Sequence, residues 1–300
     1  MPINEEFLQS FEQGLNPQFP KKSTIPAEIV GYGEISSIFK INPYNQWVIK
    51  RLPLFTRVME ANIYSKNYNI YTSKLKQAGL NLPDDRIFII SDKKVVLYLA
   101  QKALKKEDLC QNKLHSLSNE DVIEMLNNIF LNIKKVADFN KNNKPEIELS
   151  IDGQVSNWAL VNNELLYFDT STPLFKMEEK EQLDPELLLN STPKALRWLI
   201  RRFFLQEVMD RYYDLRLVFM DVIANLHKEK RQDLIDETIK IANNLLVKEE
   251  LITRKEVDKY YANDKFIWQL FLALRRMDRW LTKNIFKNQY EFILPGKIKR

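Results

Sequence analysis

The run Ser150-Ile-Asp-Gly-Gln-Val-Ser-Asn-Trp-Ala-Leu-Val-Asn-Asn-Glu-Leu-Leu-Tyr-Phe-Asp169 constrains this chain more than any other segment. Trp158 to Val161 is a short apolar strand, Asn162-Asn163 a turn, and Leu165 to Phe168 the returning strand. Asparagine tolerates the positive φ that a two-residue hairpin turn needs, so the pattern predicts a β-hairpin. A hairpin brings its two ends together. Asn157 in front of it and Asp169 behind it then lie side by side, and Asp152 reaches the same space from the preceding loop. Oxygen-only ligands of this kind suit magnesium, which takes one or two carboxylates together with phosphate oxygens. A plainer reading stands beside this one, because Asp-Gly and Asn-Asn are ordinary turn formers and an Asp after a strand is a common cap.

Upstream, Ala27 to Ile41 reads as strand, glycine-bearing turn, strand. The 300 residues contain 6 glycines, and Gly31 and Gly33 stand two apart in this turn. Glycine lets backbone approach a ligand closely, so the pair reads either as a phosphate-covering flap or as a plain hairpin turn. Gln46 to Leu52 forms a third strand that carries Lys50, a residue which in most strands points to solvent. A helix is expected from about Thr56 to Gln77, ending at Gly79 as its cap. Glu60 is the one acid in that helix, a candidate partner for Lys50 or an exposed first-turn residue. Strands over Arg86–Ser91 and Lys94–Gln101 follow, joined by Asp92-Lys93. Ser118-Asn-Glu-Asp121 then looks like a capping box for a helix running to about Asn140, which delivers the chain to Asp152.

Over residues 26 to 172 the order is glycine loop, strand lysine, helix, two strands, hinge, helix, Asp-x4-Asn, hairpin, Asp. This order resembles the protein-kinase-like fold, and within it the bacterial small-molecule phosphotransferases of the aminoglycoside and choline type. The resemblance implies a two-lobed α+β fold. Residues 1–101 would form a nucleotide-covering lobe of antiparallel sheet plus one helix. Residues 102–300 would form a mostly helical lobe carrying a catalytic hairpin at 150–170, the two making one catalytic domain. It implies ATP and Mg2+ as cofactors. Lys50 would hold the α/β-phosphates with Glu60 as its partner, Gly31 and Gly33 would cover the phosphates, and backbone near Leu99 to Gln101 would bond adenine. Asn157 and Asp169 would hold magnesium, and Asp152 would take the proton of an acceptor hydroxyl.

Departures from that pattern are specific. Ser150 stands where the family's usual His precedes the catalytic Asp, Gln154 where protein kinases place a lysine, and Asp169-Thr170-Ser171 where they place Asp-Phe-Gly. Ser36 takes the place of a third loop glycine. Three alternatives therefore stay open: a degenerate kinase-like module that binds nucleotide or a protein partner without transfer, transfer of AMP on the same fold, and a purely helical interaction module.

Composition narrows the remaining classes. Cys110 is the single cysteine, which excludes an internal disulfide or a cysteine metal cluster and suits a reducing cytoplasm. His115 and His227 are the only histidines, too few for a histidine-rich zinc centre. The N-terminal sequence lacks the pattern of a signal peptide, and no apolar run reaches membrane-spanning length. A loop is expected over residues 170 to 192, then helices over about Pro193–Leu226, Gln232–Val247, Thr253–Tyr261 and Asp264–Phe286. From Lys194 onward there are 23 Lys and Arg against 15 Asp and Glu. The clusters Arg197/Arg201/Arg202 and Arg275/Arg276/Arg279 offer a nucleic-acid surface as one reading, but read rather as solvated helix faces and intramolecular salt bridges, since the overall net charge of +5 is mild and no nucleic-acid motif accompanies them. A basic lobe disfavours a polycationic acceptor and points to an anionic or neutral small molecule.

Overall fold

A computed structural model describes residues 3–32, 36–189, 197, 209–246, 250–288 and 290–294. Its sheet contains β1 (Ala27–Tyr32), β2 (Ser37–Ile41), β3 (Trp47–Phe55), β4 (Asp85–Ser91) and β5 (Val95–Lys102) in the order β1-β2-β3-β5-β4, all neighbours antiparallel. Helix α1 (Glu5–Gly14) covers one face and α2 (Val58–Gln77) the other. In β5 the side chains of Val96, Tyr98 and Ala100 join Leu8 and Phe11 of α1, while Leu97 and Leu99 join Tyr64 and Tyr68 of α2. The same period of two separates Lys50 from Arg51 in β3. Arg51 goes to the α1 side, where its Nε and Nη2 lie 2.8 and 2.6 Å from the Glu12 carboxylate. Lys50 goes to the α2 side.

Beyond β5 come α3 (Cys110–Lys113), α4 (Asn119–Asn143), β6 (Glu148–Leu149), the hairpin β7 (Trp158–Val161) and β8 (Glu164–Tyr167), then β9 (Phe175–Met177), β10 (Lys180–Glu181) and α5 (Pro185–Leu189). After a 3-10 turn at Arg211–Tyr213 follow α6 (Leu215–Lys228), α7 (Ile235–Leu245) and α8 (Arg254–Asn284). One apolar core joins α4, α6 and α7 to the hairpin through Ile129, Phe130, Val218, Phe219, Trp158 and Tyr167. The architecture is α+β, a five-stranded antiparallel sheet followed by a mostly helical part. Among the described residues, no helix is long and apolar enough to cross a membrane.

Several expected boundaries change. Helix α1 is an addition, its apolar face confined to Phe7, Leu8 and Phe11 and its start capped by Asn4, which accepts from the Phe7 N–H at 3.0 Å. The loop expected over 170 to 192 contains β9, β10 and α5. The helix expected from Pro193 lies mostly outside the described residues, with Leu196, Leu199, Ile200, Phe203, Phe204, Arg201 and Arg202. Its described end is interrupted at Asp214, whose carboxylate accepts from the Leu217 N–H at 2.9 Å and starts α6 instead. The two helices expected around Thr253 and Asp264 are one, α8, because Ala262-Asn263 between them contains no breaker. Arg275 is not a solvated residue: it is 2% exposed and lies over the rings of Phe271 and Phe292.

Candidate active site

The loop holding Asp152 is fixed from below. Asn140 of α4 bonds both the N–H and the carbonyl of Leu149 at 2.8 Å, and Ser150 Oγ donates to the Leu174 carbonyl at 2.8 Å. Gly153 then presses on α4 and α6: a Cβ there would meet Val218, Val222 and Ile133 at 2.8, 2.9 and 3.0 Å. The valines are β-branched and buried in a helix, so they turn away poorly. Gly153→Ala should therefore destabilise the protein by about 1–3 kcal/mol, read from the urea midpoint; a loss below ~0.5 kcal/mol would show that the loop gives way. The Trp158 indole closes the loop by donating to the Gly153 carbonyl at 3.2 Å.

At the hairpin the turn is made by Asn162 and Asn163 with φ of 49° and 66°, and the strands pair from Trp158↔Tyr167 to Val161↔Glu164. The Phe168 N–H donates to the Asn157 carbonyl at 3.0 Å, which sets Asn157 against the residue preceding Asp169. The Asn157 Nδ2 donates to the Asp152 carbonyl at 3.3 Å. Asp152, Asn157 and Asp169 thus gather at the open end of the hairpin.

Lys50 completes the group. It is 3% exposed, and its ammonium donates to Asp169 Oδ1 at 2.9 Å and to Ser171 Oγ at 3.2 Å. Ser171 donates in turn to the same Asp169 oxygen at 3.0 Å. Burial works to raise the Asp169 pKa, but the Lys50 charge and the hydrogen bonds from Lys50 and Ser171 outweigh it and hold the carboxyl below its usual range. The Asp169 side chain keeps 41% exposure, so one side of this carboxylate faces outward.

Helix α2 supports the same loop by a stripe of tyrosines. Tyr64 donates to the Ser171 carbonyl, Tyr68 lies 3.0 Å from Thr170 Oγ1 and donates to Asp85, and Tyr71 donates to the Ser150 carbonyl at 2.9 Å. Spacings of four and three residues place them on one helix face. These tyrosines did not stand out in the sequence, where a helical aromatic reads as core, and Ser171 did so only as a departure from Asp-Phe-Gly.

Four expected roles change. Glu60 does not pair with Lys50; it accepts from the backbone of Thr56 and Arg57 and from the Arg57 side chain as part of a capping box. The Thr56 N–H above all holds its carboxyl at about 2. Leu99 and Gln101 do not offer backbone groups to a ligand, because β5 is paired with β3 on one side and β4 on the other. Leu99 is core, and the Gln101 amide donates to the Phe168 carbonyl at 2.9 Å, linking the sheet to the hairpin. Gly31 is a strand residue beside a register irregularity, where a Cβ would meet Ile38 Cδ1 at 3.0 Å, and Gly33 lies outside the described residues.

Asp152 is half-buried and accepts from the Gln154 N–H at 3.1 Å. Burial and then the neighbouring Asp221 carboxylate of α6 push its pKa up, with Asp169 adding to the effect and Arg211 opposing it. Among the described residues no group of three or more His, Cys, Asp or Glu could hold a metal ion. The donor set here is one carboxylate, Asp169, and the amide oxygen of Asn157, whose nitrogen is already turned to Asp152. That fits magnesium carried on phosphates, since such an ion brings most of its oxygens with it. Two surface depressions, of about 590 Å³ on the outer face of α2 and about 390 Å³ beside Trp47 and Lys102, contain none of these residues. The group is recognised by its chemistry.

A comparison with curated proteins gives no match. The family described as "Family of unknown function (DUF6206)" matches residues 27–279, from the start of β1 into α8. That span includes Lys50, Asp152, Asn157 and Asp169, leaves α1 and residues 290–294 outside, and covers most of the chain, which therefore belongs to DUF6206.

Proposed function

We propose that this chain is an ATP- and magnesium-dependent phosphotransferase of protein-kinase-like fold, acting on a hydroxyl of a small anionic or neutral acceptor. The observation that carries the reading is the buried Lys50 held 2.9 Å from Asp169, with Asp152 and Asn157 gathered at the same hairpin end. A lysine kept out of water beside one carboxylate is a poor choice for stability alone, because desolvation of the pair offsets most of its attraction. It is a sound choice for receiving phosphate oxygens.

In this reading Asp169 and Asn157 would hold magnesium, whose charge stabilises the transferring phosphoryl group. Lys50 would bond phosphate oxygens from the sheet side, and the tyrosines of α2 would keep residues 169–171 in place. Asp152 would orient the acceptor hydroxyl and receive its proton. Positioning and charge neutralisation do the work, with no covalent intermediate on the protein.

A second reading, nucleotide binding without transfer, is favoured by one feature: Glu60 is engaged in its cap and leaves Lys50 with no acidic partner from α2. Calorimetric titration of ATP with and without magnesium, on wild type and Asp169→Ala, tests the main proposal. Magnesium-dependent binding by the wild type and its loss in the variant are expected. Equal binding by both proteins, or none up to millimolar nucleotide, would end it. Binding without transfer to any hydroxyl acceptor would select the second reading.

A further inference from the structure

Next to Asp152 lies a polar cluster that the proposed chemistry does not use. Asp221 and Asn225 stand four residues apart on α6, hence on one helix face, and each is 5% exposed. Gly153 packs on Val218 and Val222 of this helix, and the Ile151 N–H donates to the Tyr212 carbonyl at 3.2 Å, so the Asp152 loop and the Arg211–Tyr213 turn adjoin it. Arg211 lies 4.9 Å from the Tyr212 ring and 5.8 Å from the Tyr260 ring, and bonds Asp264 at 3.2 Å. Four atoms here are shielded from solvent with no hydrogen-bond partner: Asp221 Oδ2, Asn225 Oδ1, Tyr260 Oη and Arg211 Nε. Burial pushes the Asp221 carboxyl above its usual range, and Arg211 and the Tyr260 hydroxyl act against it.

Unpaired buried polar atoms are costly, and a group of four is uncommon in one place. Their chemistry is mixed. The Asn225 oxygen and an ionised Asp221 only accept, Arg211 Nε only donates, and Tyr260 Oη does either. An ammonium would leave Arg211 Nε unpaired and meet the charges of Arg211 and Lys228, whose Nζ lies 3.4 Å from Gln154 Oε1. A carboxylate or phosphate would meet Asp152 and Asp221. Adjacent hydroxyls, each giving one hydrogen bond and taking others, match the set.

We infer that Asp221, Asn225, Tyr260 and Arg211 form the acceptor subsite beside Asp152, and that the acceptor is a neutral polyhydroxylated compound. The inference rests on the phosphotransferase reading and narrows it from an anionic or neutral acceptor to a polyol. Arg211, Tyr260 and Asp264, all half-buried, lie around Asp221 and would form the rim of this subsite. A polyol reaches the floor by displacing these rim side chains and presents one hydroxyl to Asp152.

Calorimetry on the full chain tests this, with myo-inositol, D-ribose and glycerol as neutral probes, ethanolamine as a cationic probe and D-glycerate as an anionic one. Wild type, Asp221→Asn and Tyr260→Phe are compared, and ATP with magnesium is titrated into each in parallel. At least one polyol should bind wild type more tightly than ethanolamine or glycerate does. Both substitutions, which keep side-chain shape, should weaken that polyol at least about tenfold and leave nucleotide affinity unchanged. ATP binding together with no polyol binding, or with tighter ethanolamine or glycerate binding, would overturn the subsite and spare the phosphotransferase reading. Polyol binding that ignores both substitutions would also overturn it, a buried water then accounting for the four atoms. Polyol binding with the expected losses but no ATP binding would uphold the subsite and remove the phosphotransferase reading.

Discussion

Under the proposed phosphotransferase function, Asp152→Asn should bind ATP with magnesium as the wild type does, yet transfer phosphate about 10²–10⁴-fold more slowly, the range that a positioned acid or base supplies. Binding should survive because the change leaves the loop intact. The amide oxygen of asparagine can still accept from the Gln154 N–H, and Gly153 and Trp158 hold the backbone. What disappears is the group proposed to receive a proton. Its pKa is raised by burial and by Asp221, so the base form grows as pH rises above the usual carboxylate range. The acid limb of kcat/KM should therefore lie above that range in the wild type. It should move to lower pH in Asp221→Asn, which removes a like charge. Stability gives an independent sign. A carboxyl with a higher pKa folded than unfolded binds more protons in the folded state, so its contribution falls as pH rises from the unfolded pKa through the folded one. Asp152→Asn should lose that dependence and gain on the wild type at the upper end of the window. Undiminished transfer by Asp152→Asn would remove Asp152 from the chemistry, and an acid limb unmoved by Asp221→Asn would remove the electrostatic explanation.

What could be read from the sequence divides by how local its cause is. The hairpin was legible because two asparagines at positive φ and two short apolar runs determine it within ten residues, and Trp158–Val161 and Asn162-Asn163 fall where expected. Lys50 was legible as a strand residue, but its partner was not. Asp169 lies 119 residues away along the chain, whereas Glu60 is close in sequence and turned out to be needed at its own helix start. The tyrosines of α2 and Ser171 carry no local mark, since their hydroxyls acquire a function only when residues 150 and 169–171 are folded against them. The cluster at Asp221 and Tyr260 was equally silent, being assembled from α6, α8 and the turn at Arg211. Breakers show the converse. Asp214 interrupts an apolar helical pattern by capping, and the absence of a breaker at Ala262-Asn263 fuses two expected helices.

Arg51→Ala should cost about 3–5 kcal/mol of stability, the loss expected when one partner of a buried ion pair is removed. Arg51 is 2% exposed in β3 and bonds four acceptor atoms. Two belong to the Glu12 carboxylate of α1, one is Glu291 Oε2 at 2.9 Å, and one is the Glu291 carbonyl at 3.0 Å. Tyr98 also donates to Glu12, and Lys94 bonds Glu291 from the exposed side. Helix α1 and residues 290–294, at the two ends of the described chain, are thus held to the back of the sheet by one guanidinium, whose pKa burial lowers and these acids raise above the ordinary value. Alanine would leave the Glu12 and Glu291 side chains, 13% and 19% exposed, without that cation. Arg51→Lys should fall between wild type and Arg51→Ala, because an ammonium keeps the charge but cannot make the forked contact. The loss should change little with added salt, since a buried pair is poorly screened. A consequence for function follows from the alternation of β3: Arg51 anchors the strand that presents Lys50 on its other face. Urea titration of the three proteins, with limited proteolysis to watch the ends, decides the matter. A cost under ~1 kcal/mol for Arg51→Ala, with α1 and residues 290–294 still protected, would mean that apolar packing by Phe11, Phe292 and Ile293 suffices to hold the ends and that the charged cluster adds nothing.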